Sequence, residues 1–304
     1  MSQIFGPVPS RRLGFSLGVD VIPLKTCTYN CTYCQLERTT KKTVTRAEYV
    51  ATEPILEELE HVLSLGQKID FITFSGSGEP TLNGKIGEMI RRIKQMTTIP
   101  VAVLTNGSLL SDPDVREALS AADLVVPSMD AVSDKVFQRV NRPHGRLEIG
   151  RILEGLKTFR SIFLGQLWLE IMFVKGINDA PEEVVEMRAL ISALRPDKVQ
   201  LNTVIRPPAE ASALPLTEDE LIAIREQLGG NAEIIASFKP KEQMAYTADV
   251  EDAVLSLLKR RPVTLDDISG ALGMHQDDIS ACLADLKKRG MISSIVFGEQ
   301  QYYQ

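Results

Sequence analysis

The chain has 304 residues, 44% apolar and 24% charged, enough to bury one large core or two smaller ones in the manner of an ordinary globular protein. A mean hydropathy of −0.02 and the lack of an apolar run near the ~20 residues that cross a bilayer argue against membrane-spanning helices. A formal net charge of −6 argues against a general nucleic-acid binder, which needs excess Lys and Arg to neutralise phosphates.

The start, MSQIFGPVPSRRLG, has no apolar secretory segment, so a cytoplasmic location is expected. Three of the four cysteines fall within eight residues, the pattern of a metal site in a reducing compartment and not of a disulfide framework. Residues 1–46 carry seven basic side chains against Asp20 and Glu37, so positive charge gathers around the cysteines. That charge would steer an anionic substrate there; solvated loop residues would give the same count.

A short apolar strand, 18–24, runs into the cysteine loop. Apolar positions at helical spacing predict a helix over 46–65, stopped by Gly66. Strands are then expected at DFITFSGSG and near 99–105, 124–129, 167–174 and 198–205, with helices near 85–95, 112–121, 147–163, 181–194 and 217–228. Residues 233–237 read as a possible last strand. This alternation predicts an α/β fold, a partial (β/α)6 barrel with a mostly parallel sheet and its functional loops on one rim. Composition changes near residue 246: three short helical patterns and a hairpin around Gly298 and Glu299 predict a winged helix-turn-helix domain. The expected division is 1–246 and 247–304.

The spacing C-x3-C-x2-C of Cys27, Cys31 and Cys34 is the strongest chemical signal. Three thiolates this close can hold three corners of a [4Fe-4S] cluster and leave the fourth iron without a protein ligand, open to the amino and carboxylate groups of S-adenosylmethionine. A zinc site would need a fourth ligand, and the loop offers none; an electron-transfer cluster would need Cys282, which sits among Ile279, Leu283 and Leu286 as a core residue would.

With Tyr33 before the third cysteine, the motif resembles the signature of the radical S-adenosylmethionine superfamily, and Ser77-Gly78-Glu79-Pro80 resembles its Gly-Gly-Glu-Pro motif with a serine replacing the first glycine. GPVPSRRLGFSLGVDVIP, FSGSGEPT, LTNGSLL and VNRPHG are similar to a subgroup of iron–sulfur oxidoreductases described as wyosine-synthase-like. The resemblance implies a partial (β/α)6 barrel, a [4Fe-4S] cluster and S-adenosyl-L-methionine as cofactors, and a ferredoxin- or flavodoxin-like electron donor. It also implies that the stretch Ser77-Gly78-Glu79-Pro80 receives the methionine ammonium, and Gly76 beside it would let the backbone approach a ligand.

Position on the rim adds candidates. Asn106, Ser128 and Asp130 end strands where they could meet the ribose or carboxylate of the cofactor, or form plain turns. Glu170, inside an apolar strand, must be paired or point into a polar barrel interior. Arg139, Arg142 and His144 read as an anion-binding lid or a loop ion-pair network; Gln200, Asn202 and Arg206 read as substrate contacts or a structural polar layer. The winged domain holds six Lys or Arg against eight Asp or Glu over 251–304, which favours docking of a protein or macromolecular substrate and makes DNA an unfavourable partner, with tRNA open. The expected activity is radical generation on an unidentified substrate. Modification of a tRNA guanosine and an iron–sulfur redox-sensing DNA-binding regulator stand as alternatives.

Overall fold

The computed structural model describes residues 2–10, 12–236, 250–258, 261–272, 274–298 and 300–304. The chain opens on β1 (Ile4–Ser10) and β2 (Gly14–Val19), an antiparallel pair. The cysteine loop follows, framed by the two-residue strands β3 (Thr26–Cys27) and β4 (Lys41–Lys42). Helices and strands then alternate: α1 (Thr52–Ser64), β5 (Phe71–Phe74), α2 (Ile86–Met96), β6 (Val101–Thr105), α3 (Pro113–Leu119) and β7 (Leu124–Pro127). The series continues with α4 (Asp134–Val140), α5 (Ile149–Ile162), β8 (Gln166–Phe173), α6 (Pro181–Leu194), β9 (Lys198–Thr203), α7 (Glu218–Leu228) and β10 (Ala232–Ile234).

Among the described residues these strands form one sheet in the order β1-β2-β5-β6-β7-β8-β9-β10, parallel from β2 onward. With β1 and β10 as its edges, the sheet is the open, partial form of a β/α barrel, with helices covering its outer face. α2 shows why the helices dock: Ile86, Met89, Ile90 and Ile93 recur at helical spacing and are all fully buried. The β7 strand is buried throughout, as expected of a parallel strand covered on both faces. Several helices start on side-chain caps: Asp112 accepts from the Asp114 amide, Ser133 from the Val136 amide, and Thr217 with Glu220 closes a reciprocal capping box.

Three differences from the sequence expectation have physical causes. β1 was not expected, because IFGPVPS carries two prolines; at a sheet edge a proline forfeits no ladder bond that the sheet needs. β2 lies earlier than 18–24, because the chain leaves the ladder after Val19 to enter the cysteine loop. α4 is an extra helix, seven residues long and set by its Ser133 cap.

The last part is a winged helix: α8 (Val250–Leu258), β11 (Val263–Thr264), α9 (Leu265–Leu272), α10 (Gln276–Lys288), β12 (Ser294–Phe297) and β13 (Gln300–Tyr303). Its sheet runs β11-β13-β12, one strand more than the expected hairpin. Val254, Ile268, Ile279, Leu283 and Leu286 make its core, and Cys282 packs against them. The expected boundary at 246/247 and Glu299 lie outside the described residues. This domain touches both sides of the open barrel: Val8 of β1 packs on its core, and the Tyr302 hydroxyl donates to the Ile205 carbonyl just past β9 at 2.6 Å.

Replacing Thr217 with alanine removes the capping box of α7 and should lower the stability of the barrel by about 1 kcal/mol. Chemical denaturation of the two proteins side by side checks this.

Candidate functional site: a three-thiol loop at the mouth of the barrel

The cysteine loop is pinned by backbone bonds from three directions. The Lys25 amide donates to the Ser77 carbonyl at 2.8 Å, the Glu79 amide to the Thr26 carbonyl at 3.2 Å, and the Thr43 amide to the Cys27 carbonyl at 3.0 Å. On the outer side, the Thr32 amide donates to the Val140 carbonyl at 3.0 Å and the His144 amide to the Thr28 carbonyl at 2.8 Å. Gly78 is required by this closeness, since a Cβ there would lie 1.8 Å from the Thr26 carbonyl oxygen. At Gly76 the backbone has φ +139°, and a Cβ would meet the Asp20 carboxylate at 2.6 Å.

Each cysteine sulfur has a side-chain nitrogen donor within reach. The Asn106 amide nitrogen lies 3.5 Å from Cys27 Sγ, the Asn141 amide nitrogen 3.5 Å from Cys31 Sγ, and Lys25 Nζ 3.8 Å from Cys34 Sγ. Such donors stabilise negative charge on sulfur and raise the reduction potential of a cluster bound there. All three cysteines open on one cavity of about 410 Å³. Among the described residues no three His, Cys, Asp or Glu side chains converge as a single metal ion requires. A donor set of three thiols spread along one wall fits three corners of a cluster better than one zinc ion.

The cysteines are partly buried, lining that cavity while protein surrounds them elsewhere. Burial pushes the Cys27 thiol up to about 12, with the Glu79 carboxyl adding to it. Cys31 is also held well above the ordinary thiol value, first by burial and then by Asp130. The iron-free protein therefore keeps these thiols protonated at neutral pH, and iron must displace the protons.

The rim carboxylates serve the scaffold. Glu79 is buried; one oxygen accepts from the Thr81 amide and the hydroxyls of Thr81 and Thr105, the other from the Asn106 amide at 2.7 Å. Burial raises its pKa and those four bonds oppose the rise. Asp130 accepts from the Tyr33 hydroxyl, from Asn141 at 2.7 Å and from the Met172 amide at 2.9 Å. Burial lifts its carboxyl to about 6, against the pull of those three donors. Tyr33 thus reaches from the cysteine loop to the end of β7, and Asp130 ties both to β8.

The sequence candidates separate into those on the cavity wall and those behind it. Tyr33, Gly76, Ser77, Gly78, Glu170, Asn202 and Arg206 line the cavity with the cysteines. Glu79, Asn106, Ser128 and Asp130, expected as direct cofactor contacts, stand outside that wall. Asn106 spends its side-chain amide on Cys27 and Thr28, while the Ser128 amide donates to the Thr105 carbonyl at 2.9 Å. Gln200 is turned to β10, donating to Glu233 at 2.8 Å.

Arg139, Arg142 and His144 do not line the cavity either. Arg139 donates to the Gly176 carbonyl at 3.0 Å, and Arg142 shares Glu210 with Arg38. Their loop buttresses the cysteine loop from outside, with Arg142 ion-paired to Glu210 and Arg139 bonded to backbone.

Sequence reasoning missed Arg12, Arg261 and Asn141. Arg12 precedes β2 and reaches Glu170 at 2.8 Å across the barrel, while Arg261 comes from the winged domain; Arg12 was passed over inside GPVPSRRLG, and Arg261 belongs to no motif. Asn141 was passed over inside VNRPHG, where its neighbours carried the charge.

Residues 21–188, more than half of the chain, match the family described as Radical SAM superfamily, and the chain belongs to it. Residues 239–294 match the DprA winged helix domain. At the level of individual relatives, the chain is 36% identical over 270 residues to the UPF0026 protein MJ1312 of Methanocaldococcus jannaschii, covering 86% of this chain and 84% of that one. It is 37% identical over 304 residues to a Brachyspira hyodysenteriae protein named GTPase Obg, but spans only 45% of that protein's length. Among solved structures, "Structure of TYW1 with a lysine-pyruvate adduct bound" superposes with a TM-score of 0.54 at 17% identity over 74% of this chain and 75% of that one, a likeness of fold.

The buried thiols set a pH dependence. Below the ordinary thiol value of 9.0 both folded and unfolded iron-free chains keep the Cys27 proton; between 9.0 and about 12 only the folded chain does. The unfolded chain then binds fewer protons, so stability falls as pH rises through that window, by about 1.4 kcal/mol per pH unit for each such thiol. Denaturant unfolding of iron-free protein across this range should show the fall, and Cys27→Ser should flatten it; equal slopes would contradict the assignment.

Proposed function

We propose that this protein is a radical S-adenosylmethionine enzyme that holds a [4Fe-4S] cluster on Cys27, Cys31 and Cys34 and takes a hydrogen atom from a carbon of its substrate. One observation carries the reading: three thiols, each with its own nitrogen donor, share a cavity wall, while Cys282 packs in the winged domain's core. When bound and reduced, the cluster would supply one electron to the sulfonium of S-adenosylmethionine, and the cofactor, losing methionine, would supply the 5′-carbon that takes the hydrogen and leaves as 5′-deoxyadenosine.

The chain's own part is to hold and exclude. Lys25, Asn106 and Asn141 keep the three sulfurs turned toward the cavity. The Ser77 carbonyl already accepts from Lys25, which fixes the strand end beside which the methionine group would lie and leaves its second lone pair for an ammonium. Inside the barrel, the Ser16 hydroxyl donates to Thr73 at 2.7 Å, and Glu170 accepts from Asn202 at 3.2 Å, so the polar lining is already ordered before a ligand enters. Leu257 of the winged domain closes the wall against water.

A one-electron donor of the ferredoxin or flavodoxin class is the partner this reaction needs. DNA reading is disfavoured. α10 begins with exposed Asp277 and Asp278, and Arg289 at its end is occupied by Glu251 at 2.8 Å and Asp285 at 3.2 Å.

Anaerobically reconstituted protein given dithionite and S-adenosylmethionine should yield 5′-deoxyadenosine, and Cys31→Ser should bring the yield to background. A complete lack of 5′-deoxyadenosine from protein with a full cluster would remove the reading.

A further inference from the structure

The cavity wall joins two chemistries. Besides the cysteines, and among the described residues, it carries Arg12, Arg206 and Arg261 with one carboxylate, Glu170, and the winged domain supplies the third of these arginines. A guanidinium walled into a cleft, as those of Arg12 and Arg206 are, loses solvation that an anion can return.

Two of these arginines are incompletely served by the protein. Arg206 is 8% exposed, its Nε has no hydrogen-bond partner among the described residues, and its ion pair with Asp267 is long, at 3.7 Å. Arg12 Nη1 is ion-paired with Glu170 at 2.8 Å, in a geometry that makes no hydrogen bond among the described residues. The oxygens of an anion would give these guanidiniums hydrogen bonds that the described residues do not.

We propose that Arg12, Arg206 and Arg261 bind the carboxylate or phosphate of a small-molecule substrate, and that the winged domain completes this site. Size favours a small molecule over a polymer. The same cavity of about 410 Å³ must also receive S-adenosylmethionine, and ligand clefts of roughly 300–1,000 Å³ are filled by compounds of drug size. Placement agrees, because the winged domain is fastened to both sides of the barrel opening through Val8 and Ile205, across the route a macromolecule would use. A winged helix here acts as a wall of the substrate site, with Asp267 holding Arg206 loosely from behind.

The inference rests on the radical-enzyme reading, and its test is independent of turnover. Reconstituted full-length protein is saturated with S-adenosylmethionine, so that an anion cannot respond by binding the open iron. Inorganic phosphate and acetate are then titrated against potassium chloride of equal ionic strength, with the thermal midpoint as the readout. One of the two anions should raise the midpoint saturably; whichever does so at lower concentration identifies the head group. Arg206→Gln and Arg261→Gln, compared at equal iron content, should each weaken that response about tenfold, the loss of a charge-assisted hydrogen bond. Arg206→Lys, which keeps the charge and loses the fork, should weaken it less. A response no greater than that to chloride, or one unchanged in both glutamine variants, would overturn the proposal. Saturation by bulk tRNA without any response to phosphate or acetate would also overturn it, by assigning the arginines to a polymer. Anion binding without 5′-deoxyadenosine formation would count against the reaction and leave the site standing; the opposite pair of results would do the reverse.

Discussion

The structure depends on the close approach of two backbone segments, the cysteine loop after β2 and the Gly76–Glu79 turn after β5. Their contact is made by carbonyl and amide groups, and it is so tight that only hydrogen fits on the α-carbon of Gly78. From it follows where the sulfurs point, because a loop fixed at Lys25, Thr26 and Cys27 has little freedom left for the residues up to Cys34. The ordering cost of that loop is met once, in folding, and does not recur at each encounter with a ligand.

Around that contact the rim carboxylates act as ties between strands. Glu79 joins the ends of β5 and β6, and Asp130 joins β7, β8 and the cysteine loop. Both are kept in place by several donors that a buried carboxylate needs. The proposed reaction tolerates this arrangement, since hydrogen-atom transfer from carbon asks for position and dryness more than for an acid or base.

Much of this was legible in the sequence. The alternation of apolar helices and strands indicates the barrel because its period is set by burial, and the three cysteines indicate the cluster because ligand spacing is local. What was hidden is long-range. Nothing near Arg12 or Arg261 reveals that both face the same cavity, because the residues between them in space lie on β8, β9 and the winged domain. Rim positions were assigned by their place at strand ends, which gives the height of a side chain on the barrel and not its direction; thus Asn106 and Asp130 turned toward the cysteine loop while Asn202 turned inward. The proline-bearing β1 was hidden for a different reason, since local propensity argues against it and only its edge position in the sheet permits it.

The winged domain gives the barrel a wall where its sheet stops, and the loop from Asn141 to His144 gives the cysteines a support where the cavity stops. Both place structure around a single opening beside three sulfurs. The most direct test of that account is electron–nuclear double resonance on the reduced, anaerobic protein with S-adenosylmethionine labelled at its amino nitrogen and carboxylate oxygens. The account predicts couplings from both labels to one iron of the cluster. A fully loaded cluster with no coupling to either label, or with a fourth protein ligand on that iron, would contradict it.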